Sequence, residues 1–296
     1  MNKIKFDGVH SAIFSVYDKE MNVIKDTVNK MVEYQLKGGL KGFYVGGNTG
    51  ECLTLPAKTR KQMLETVVDA NNGRGLIMAH VGAGHLCEVL ELLDHANNQK
   101  IDAVASLPPS LQKYYNAEEI IEYYKMLADK SKYPVYAYVT PVLNCDLTWF
   151  AEQVAKIDNI AGLKISIPDY YSFGKITRIN GGSLNVLNGP DETMICGLSR
   201  GADGAIGTTY NIVPKLAVEV YNAFKSEDME LARQKQDQLN AVIDIFIGHN
   251  TGYWKAGLSV MGFDMGYTVA PAKPVTTEDL EVIKTKLNAL GLLNNI

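Results

Sequence analysis

Short apolar segments alternate along the chain with longer segments in which apolar residues recur at helical spacing. Eight of the short segments are rich in the β-branched and aromatic residues that favour strands. They cover residues 11–17, 42–47, 76–82, 102–107, 135–139, 161–166, 184–189 and 204–209. The segment from Pro56 to Gly73 shows the helical pattern best, with proline near its first turn and glycine just after its last. The pattern predicts eight strand–helix units in about 225 residues.

Eight such units are what a (β/α)8 TIM barrel requires. A doubly wound open sheet normally has fewer strands and a G-x-G-x-x-G motif after the first, and SAIFSVYDKE (11–20) contains none. We therefore expect an α/β fold with a barrel over residues 1–225 that carries the active site. Residues 226–296 contain three further helical patterns and predict a C-terminal helical extension packed on the barrel.

The composition narrows the class of protein. Of 296 residues, 46% are hydrophobic and 21% charged, as in a soluble globular protein with a large core. The net charge of −4 argues against nucleic acid or an anionic membrane as a partner. Cysteines 52, 87, 145 and 196 form no C-x-x-C pair, and no apolar run reaches transmembrane length. A cytoplasmic protein with a small-molecule substrate is expected.

The segment NIAGLKISIP (159–168) places an amine inside an apolar run. A lysine ammonium is costly to bury unless it is paired or loses its proton. Lys164 therefore either pairs with an inward carboxylate, for example Glu51, or serves in chemistry. In the second case, the apolar neighbours Leu163 and Ile165 would help to keep the amine nucleophilic.

Other unusual residues also follow predicted strands, where the reacting groups of a barrel are found. The turn GGNTGE (46–51) contains Asn48 and Thr49, and its N–H groups either converge on an anion or simply join strand to helix. Tyr138 lies near the end of the fifth strand, where a tyrosine serves in packing or in proton transfer. Ser166, two residues after Lys164, is expected on the same side of its strand.

The last two strands end in further polar groups. NGPDET (188–193) contains Gly189, Asp191 and Glu192, and its two acidic residues either bind ligand or favour the positive end of a helix dipole. The segment GADGAIGTTYN (201–211) places Thr208 after the eighth strand. A metal site using His80 or His85 is a weaker alternative, because no H-x-x-x-H or H-x-H pair is present.

An inward lysine, a tyrosine near the rim and an anion-accepting turn together favour carbonyl chemistry. A neutral amine attacks a ketone to form an imine, which draws electrons from the adjacent carbon–carbon bond. A tyrosine hydroxyl can shuttle the protons, and N–H groups can hold the carboxylate of a 2-oxo acid. This chemistry needs no cofactor and no metal.

Four motifs in this order resemble the N-acetylneuraminate lyase / dihydrodipicolinate synthase family of class I aldolases. They are GGNTGE, YVTP (138–141), GLKIS (162–166) and GADGAIGTTYN. The resemblance covers essentially the whole chain and points to the lyase branch, because NGPDE and GTTYN resemble lyase segments. In this resemblance, Leu143 stands at the place where the synthase branch usually has an arginine.

The resemblance implies a role for each candidate residue. Lys164 is expected to form a Schiff base with pyruvate, and Tyr138 to relay protons. The other candidates are expected to bind substrate: the carboxylate at Asn48 and Thr49, the hydroxyl at the cleaved bond at Ser166, and the polyol tail at Gly189, Asp191, Glu192 and Thr208. The implied reaction is cleavage of N-acetylneuraminate to pyruvate and N-acetylmannosamine by a homotetramer.

The chain departs from the family pattern at three places. Asn48 replaces the usual serine or threonine, and threonine replaces serine at 208. The loop PPSLQKYYNAEEI (108–120) leaves open whether Tyr114 or Tyr115 reaches an active site. Three alternatives remain: an aldolase for a shorter acid such as 2-keto-3-deoxygluconate, a metal-dependent aldolase, and a barrel that binds sugar acids without turnover.

Overall fold

Eight parallel strands form a closed barrel in the computed structural model, which describes residues 5–109, 114–141, 143 and 145–293. Each strand pairs with the next in the chain, and β8 pairs with β1 through Gly204 and Gly8. The strands are β1 Gly8–Ile13, β2 Gly42–Val45, β3 Leu76–His80, β4 Ala103–Ser106, β5 Val135–Val139, β6 Ile160–Ile165, β7 Asn185–Asn188 and β8 Gly204–Gly207. The predicted (β/α)8 barrel is confirmed.

A helix follows every strand and covers the outside of the barrel. These helices are α1 Lys25–Lys37, α2 Ala57–Asn71, α3 Leu86–Ala96, α4 Ala117–Lys130, α5 Leu147–Val154, α6 Tyr170–Ile176, α7 Met194–Ser199 and α8 Pro214–Lys225. The ends of α2 fit the sequence pattern: Pro56 is extended before the first turn, and Asn72 ends the helix in the left-handed region. Among the described residues, no helix has the length and apolarity needed to cross a membrane.

Three more helices follow the barrel: α9 Met229–Phe246, α10 Thr251–Ser259 and α11 Thr277–Ala289. The predicted C-terminal helices are therefore present, and α9 packs against α8 and against the 3-10 turn Asp191–Thr193. The placement of a domain boundary at residue 225 stays a prediction.

The first strand differs from its prediction, because it covers residues 8–13 rather than 11–17. The residues after Ile13 are buried but bond to loops instead of strands: the Phe14 amide donates to Asn211 Oδ1, and Tyr17 pairs with Val23 and Gly266. At the other end, the polar His10 is buried within the strand, so its residue type concealed the true start.

Apolar residues form two separate groups. The larger lies between the strands and the helices, and the smaller fills the barrel interior. The interior group contains Phe6, Ala12, Tyr44, Met78, Ala103, Ala105, Tyr136, Tyr138, Ala161, Leu187 and Ile206. The barrel is thus a packed core whose functional groups lie at one end.

Gly162 supplies a test of this packing. A Cβ at this position would lie 2.0 Å from the carbonyl oxygen of Asn185 and 2.7 Å from Cε1 of Tyr136. We expect Gly162→Ala to lower the free energy of unfolding by about 3 kcal/mol, because the backbone of β7 must shift. Urea unfolding measures this change.

Gly84→Ala is the matched control, because a Cβ there meets no atom of the described residues within 4 Å. It is expected to change stability by less than about 0.5 kcal/mol. Equal losses in the two variants would contradict the packing described here.

Candidate active site

Lys164 and Tyr138 are neighbours across the pair of strands β5 and β6. Both side chains are 5% exposed, and the Lys164 amine lies 4.1 Å from the centre of the Tyr138 ring. None of the ion pairs in the described part of the chain involves Lys164. The amine is therefore buried beside a phenol without an acidic partner.

The residues next to Lys164 do not surround its amine. Leu163 and Ile165 belong to the apolar layer between strands and helices, on the opposite face of β6. The expectation that they keep the amine dry was wrong, because side chains alternate between the two faces of a strand. Two tyrosine rings in the barrel interior, those of Tyr44 and Tyr138, take this role instead.

Tyr44 was missed by the sequence reasoning. Its ring centre lies 4.6 Å from the Lys164 amine, and its ring meets that of Tyr138 edge to face at 6.0 Å. Its buried hydroxyl has no hydrogen-bond partner among the described residues, and burial raises its pKa well above 10. A neutral phenol therefore faces the interior near the amine.

The turn after β2 presents backbone N–H groups near this pair. Gly46 adopts a φ of 74°, and a Cβ on Gly47 would lie 2.2 Å from Cε1 of Tyr44, so the turn packs directly on that ring. The amides of Asn48 and Thr49 donate to no acceptor within the described residues. Such a turn is suited to bind an anion.

The Asn48 side chain has a partner of its own. Its Oδ1 accepts a hydrogen bond from the Cys52 thiol at 3.3 Å. Burial raises the pKa of this thiol to about 11, so it remains a donor. The replacement of the usual hydroxyl by Asn48 is thus accommodated by a cysteine one turn later.

The histidine proposed as a metal ligand holds the same turn in place. The Leu107 amide donates to Nε2 of His80 at 3.0 Å, so Nδ1 carries the proton and donates to the Gly46 carbonyl at 2.9 Å. Burial and nearby Arg60 hold the pKa of His80 well below its usual range. Arg60 itself donates to the carbonyl of His80 at 2.9 Å and to that of Cys52 at 3.1 Å.

Both ring nitrogens of His80 are therefore occupied by the backbone. His85 is exposed and caps α3 by accepting from the Glu88 amide. In the described ranges, no group of three or more His, Cys, Asp or Glu residues is placed to hold a metal ion. The arrangement disfavours the metal-dependent alternative on the chemistry of these side chains.

Thr49 and Thr208 meet at the closure of the barrel. Their hydroxyl oxygens are 2.6 Å apart, although the residues follow β2 and β8. Both threonines are partly exposed. This contact brings the turn after β2 to the polar loop after β8, as a shared binding site requires.

Ser166 and Gly189 are also in contact. The Ser166 amide donates to the Val139 carbonyl, and the Gly189 amide to the Ile165 carbonyl, each at 2.8 Å. A Cβ on Gly189 would lie 2.0 Å from the Ser166 hydroxyl. Glycine at 189 therefore leaves the space that this hydroxyl occupies.

Asp191 is buried, whereas its neighbour Glu192 is exposed. Asp191 Oδ2 accepts from the Thr209 amide at 2.7 Å. Burial raises the pKa of Asp191 to about 6, and this hydrogen bond limits the rise. Gln236 of α9 donates to the Asp191 backbone carbonyl at 3.0 Å and thereby fixes the turn.

Glu51 does not pair with Lys164, so that alternative was wrong. Its carboxylate pairs instead with Lys255 of α10, at 2.6 Å. Sequence reasoning missed Lys255 and Gln236, because they lie on helices far along the chain from the turns they contact.

Within the loop 108–120, residues 110–113 lie outside the described residues. Tyr114 and Tyr115 lie on the surface of the single chain, 71% and 42% exposed.

Comparisons with known proteins agree over nearly the whole chain. The family model described as dihydrodipicolinate synthetase family matches residues 5–290. N-acetylneuraminate lyase 2 of Escherichia coli is 30% identical over 287 residues, which cover 94% of this chain and 92% of that protein. The N-acetylneuraminate lyase structure from Proteus mirabilis has a TM-score of 0.92 at 27% identity and covers 98% of this chain and 100% of that one. A dihydrodipicolinate synthase structure has a TM-score of 0.88 at 28% identity, covering 97% of this chain and 100% of that one.

The buried carboxyl of Asp191 makes stability depend on pH. Because its pKa is raised from 3.8 to about 6, the native state binds more protons than the unfolded state between these values. Stability from this group is therefore lost as pH rises from 4 to 6. We expect Asp191→Asn to remove the loss, so that the variant gains about 3 kcal/mol relative to wild type across this window.

Urea unfolding at several pH values between 4 and 7 measures the difference. Asp244→Asn, which changes an exposed carboxylate on α9, is the control and is expected to show no such step. A wild-type-minus-variant difference that does not change with pH would contradict the raised pKa of Asp191.

Proposed function

The chain belongs to the dihydrodipicolinate synthetase family and is a carbon–carbon lyase, and on this basis we propose that it cleaves N-acetylneuraminate to pyruvate and N-acetylmannosamine through an imine on Lys164. The observation that carries the proposal is the Lys164 amine, buried without an acidic partner among the described residues and 4.1 Å from the Tyr138 ring. An amine held in this way is free to react with a ketone.

The proposed reaction begins when the neutral Lys164 amine attacks the ketone carbon of the open-chain sugar acid. Loss of water gives an imine, and the protonated imine accepts the electron pair of the neighbouring carbon–carbon bond. Tyr138 gives its phenolic proton to the departing water as the imine forms. As the carbon–carbon bond breaks, the resulting phenolate takes the proton of the hydroxyl beyond that bond, and this fragment leaves as an aldehyde. Protonation of the remaining enamine and hydrolysis of the imine release pyruvate and restore the amine.

The substrate carboxylate is assigned to the turn after β2. Its ligands are the free amides of Asn48 and Thr49, with the Thr49 hydroxyl beside them. N–H groups fixed by a rigid turn stabilise an anion without reorganising when it binds. His80 makes the turn rigid by donating to the Gly46 carbonyl, and Arg60 holds His80 by donating to its backbone carbonyl.

The polyol tail is assigned to the loops after β6, β7 and β8. Ser166 is directed to the hydroxyl at the cleaved bond, and the remaining contacts come from Gly189, Asp191, Glu192 and Thr208. A long polyol needs many hydrogen-bonding partners, which favours the nine-carbon acid over a shorter one. The second candidate substrate is 2-keto-3-deoxygluconate.

Leu143 supports the lyase branch over the synthase branch. It packs against the apolar layer, at the place where the resemblance gives the synthase an arginine for its substrate's carboxylate. An apolar side chain cannot form that ion pair. From the resemblance alone, we also propose a cytoplasmic homotetramer whose partners are small molecules.

Trapping the imine tests the reaction. With borohydride and pyruvate, we expect one reduced adduct on Lys164, located by mass spectrometry of its peptide. Lys164→Ala should abolish the adduct and turnover, whereas Lys255, which is buried in an ion pair, should stay unmodified. A non-catalytic sugar-acid binder would instead keep its affinity in Lys164→Ala.

A separate measurement tests the specificity: pyruvate release from each of the two candidate substrates. Activity on 2-keto-3-deoxygluconate alone would overturn the sialic acid assignment but keep the imine. Absence of any adduct, together with loss of activity in a chelator, would favour a metal-dependent aldolase.

Tyr138→Phe tests the proton relay. It is expected to lower turnover by about 10² to 10⁴, the usual contribution of a proton-transfer group. Trapping of pyruvate should be less affected, because the ring beside Lys164 remains. Tyr136→Phe is the control, since the Tyr136 hydroxyl donates to Asn185 rather than facing Lys164. Wild-type turnover in Tyr138→Phe would refute the relay.

A further inference from the structure

Lys255 is the second buried lysine of the site region, and it comes from the C-terminal helix α10. Its side chain is 3% exposed, and its amine pairs with Glu51 Oε1 at 2.6 Å and donates to the Tyr267 carbonyl at 3.0 Å. Burial lowers the pKa of Lys255, and the carboxylate of Glu51 opposes this. The ion pair is therefore fully enclosed.

Glu51 has its second oxygen occupied as well. Tyr17 donates to Oε2 at 2.6 Å, and the Val269 amide donates in turn to the Tyr17 hydroxyl at 3.2 Å. Burial and the hydrogen bond to Glu51 raise the pKa of Tyr17, so it remains a donor. One carboxylate thus joins the loop after β1, the turn after β2 and the segment after α10.

The backbone of Glu51 closes the turn that presents the free amides. Its amide donates to the Asn48 carbonyl at 2.9 Å, and its φ of 61° is unusual for a residue with a side chain. The residue whose side chain is held by Lys255 and Tyr17 is therefore also the residue whose backbone closes the turn. The side-chain network and the anion-binding turn form one unit.

The negative charge of Glu51 explains why a lysine is needed at position 255. A carboxylate in the same turn as anion-binding amides repels the anion unless a cation neutralises it, and this repulsion is strong where water is excluded. Lys255 supplies the neutralising charge, so the turn keeps its N–H groups without a net negative charge behind them.

We propose that Lys255 is a positioning residue for carboxylate binding: by neutralising and holding Glu51, it lets the turn at 46–51 accept the carboxylate of a 2-oxo acid. The C-terminal helices thereby contribute to the affinity of a site built on the barrel. This inference rests on the proposed function, because it requires that the turn binds a carboxylate next to the Lys164 imine.

A comparison of a charged and a neutral ketone tests the role. The ligands are pyruvate and its neutral amide, pyruvamide, and the readout is the concentration of each that gives half-maximal borohydride-trapped adduct on Lys164. In Lys255→Met, we expect this concentration to rise about tenfold for pyruvate and to change less than about twofold for pyruvamide. A purely structural defect would weaken the trapping of both ligands alike.

Two further variants complete the experiment. Lys255→Met combined with Glu51→Gln leaves no unpaired charge and should bring the pyruvate-to-pyruvamide ratio to within about threefold of wild type. Lys235→Met is the matched control, because it breaks an ion pair with Glu219 at 2.8 Å between α9 and α8, away from the turn. It is expected to leave the ratio unchanged. If Lys255→Met does not fold, Lys255→Gln keeps the hydrogen-bonding capacity without the charge and should show the same shift.

The outcomes separate the two proposals. An adduct in the wild-type protein with an unchanged ratio in the Lys255 variants would overturn the role of Lys255 and leave the imine chemistry standing. No adduct in the wild-type protein would overturn the proposed function and this inference with it.

Discussion

The proposed site depends on a lysine amine that is buried without an acidic partner among the described residues. Lys164 lies between the rings of Tyr44 and Tyr138, whose faces attract a cation but donate no proton to it and accept none. An acidic partner would stabilise the amine more strongly, and would also hold it as an ammonium that cannot attack a carbonyl carbon. The barrel instead places two aromatic rings beside the amine, and the buried carboxylate of Glu51 pairs with Lys255.

The contacts around the site connect the barrel with the C-terminal helices. The barrel strands supply the proposed reacting pair, Lys164 and Tyr138, whereas α9 and α10 contact the turns that follow β2 and β7. Gln236 bonds to the backbone of Asp191, and Lys255 bonds to the side chain of Glu51. The C-terminal helices therefore hold two turns of the proposed binding site as well as covering the barrel.

Much of this arrangement follows from local pattern in the sequence. Alternating strand and helix signals are sufficient for the barrel, and parallel neighbours β5 and β6 bring Tyr138 beside Lys164. Period-two alternation also explains why Leu163 and Ile165 face the helices, although their apolar character first suggested a role around the amine. The first strand was misplaced because the buried segment after it bonds to loops, and loop pairing leaves no periodic signal.

Contacts between segments that are distant in the chain leave no periodic pattern in the sequence. The pairing of Lys255 with Glu51, and of Thr49 with Thr208, depends on how the barrel closes and how the last helices return to it. A buried lysine on an amphipathic helix has the same sequence pattern as an exposed one. Such contacts become visible only when the whole chain is folded.

The contact between Ser166 and Gly189 restricts how the site can change over evolutionary time. Because the Ser166 hydroxyl occupies the space where a residue at 189 would carry its first side-chain carbon, position 189 is not free to change alone. A larger residue at 189 first requires that 166 become smaller or turn away, and it must also clear the Ile165 carbonyl oxygen, which lies 2.9 Å from the same point. New specificity in this corner of the barrel must therefore arise through paired replacements in a fixed order.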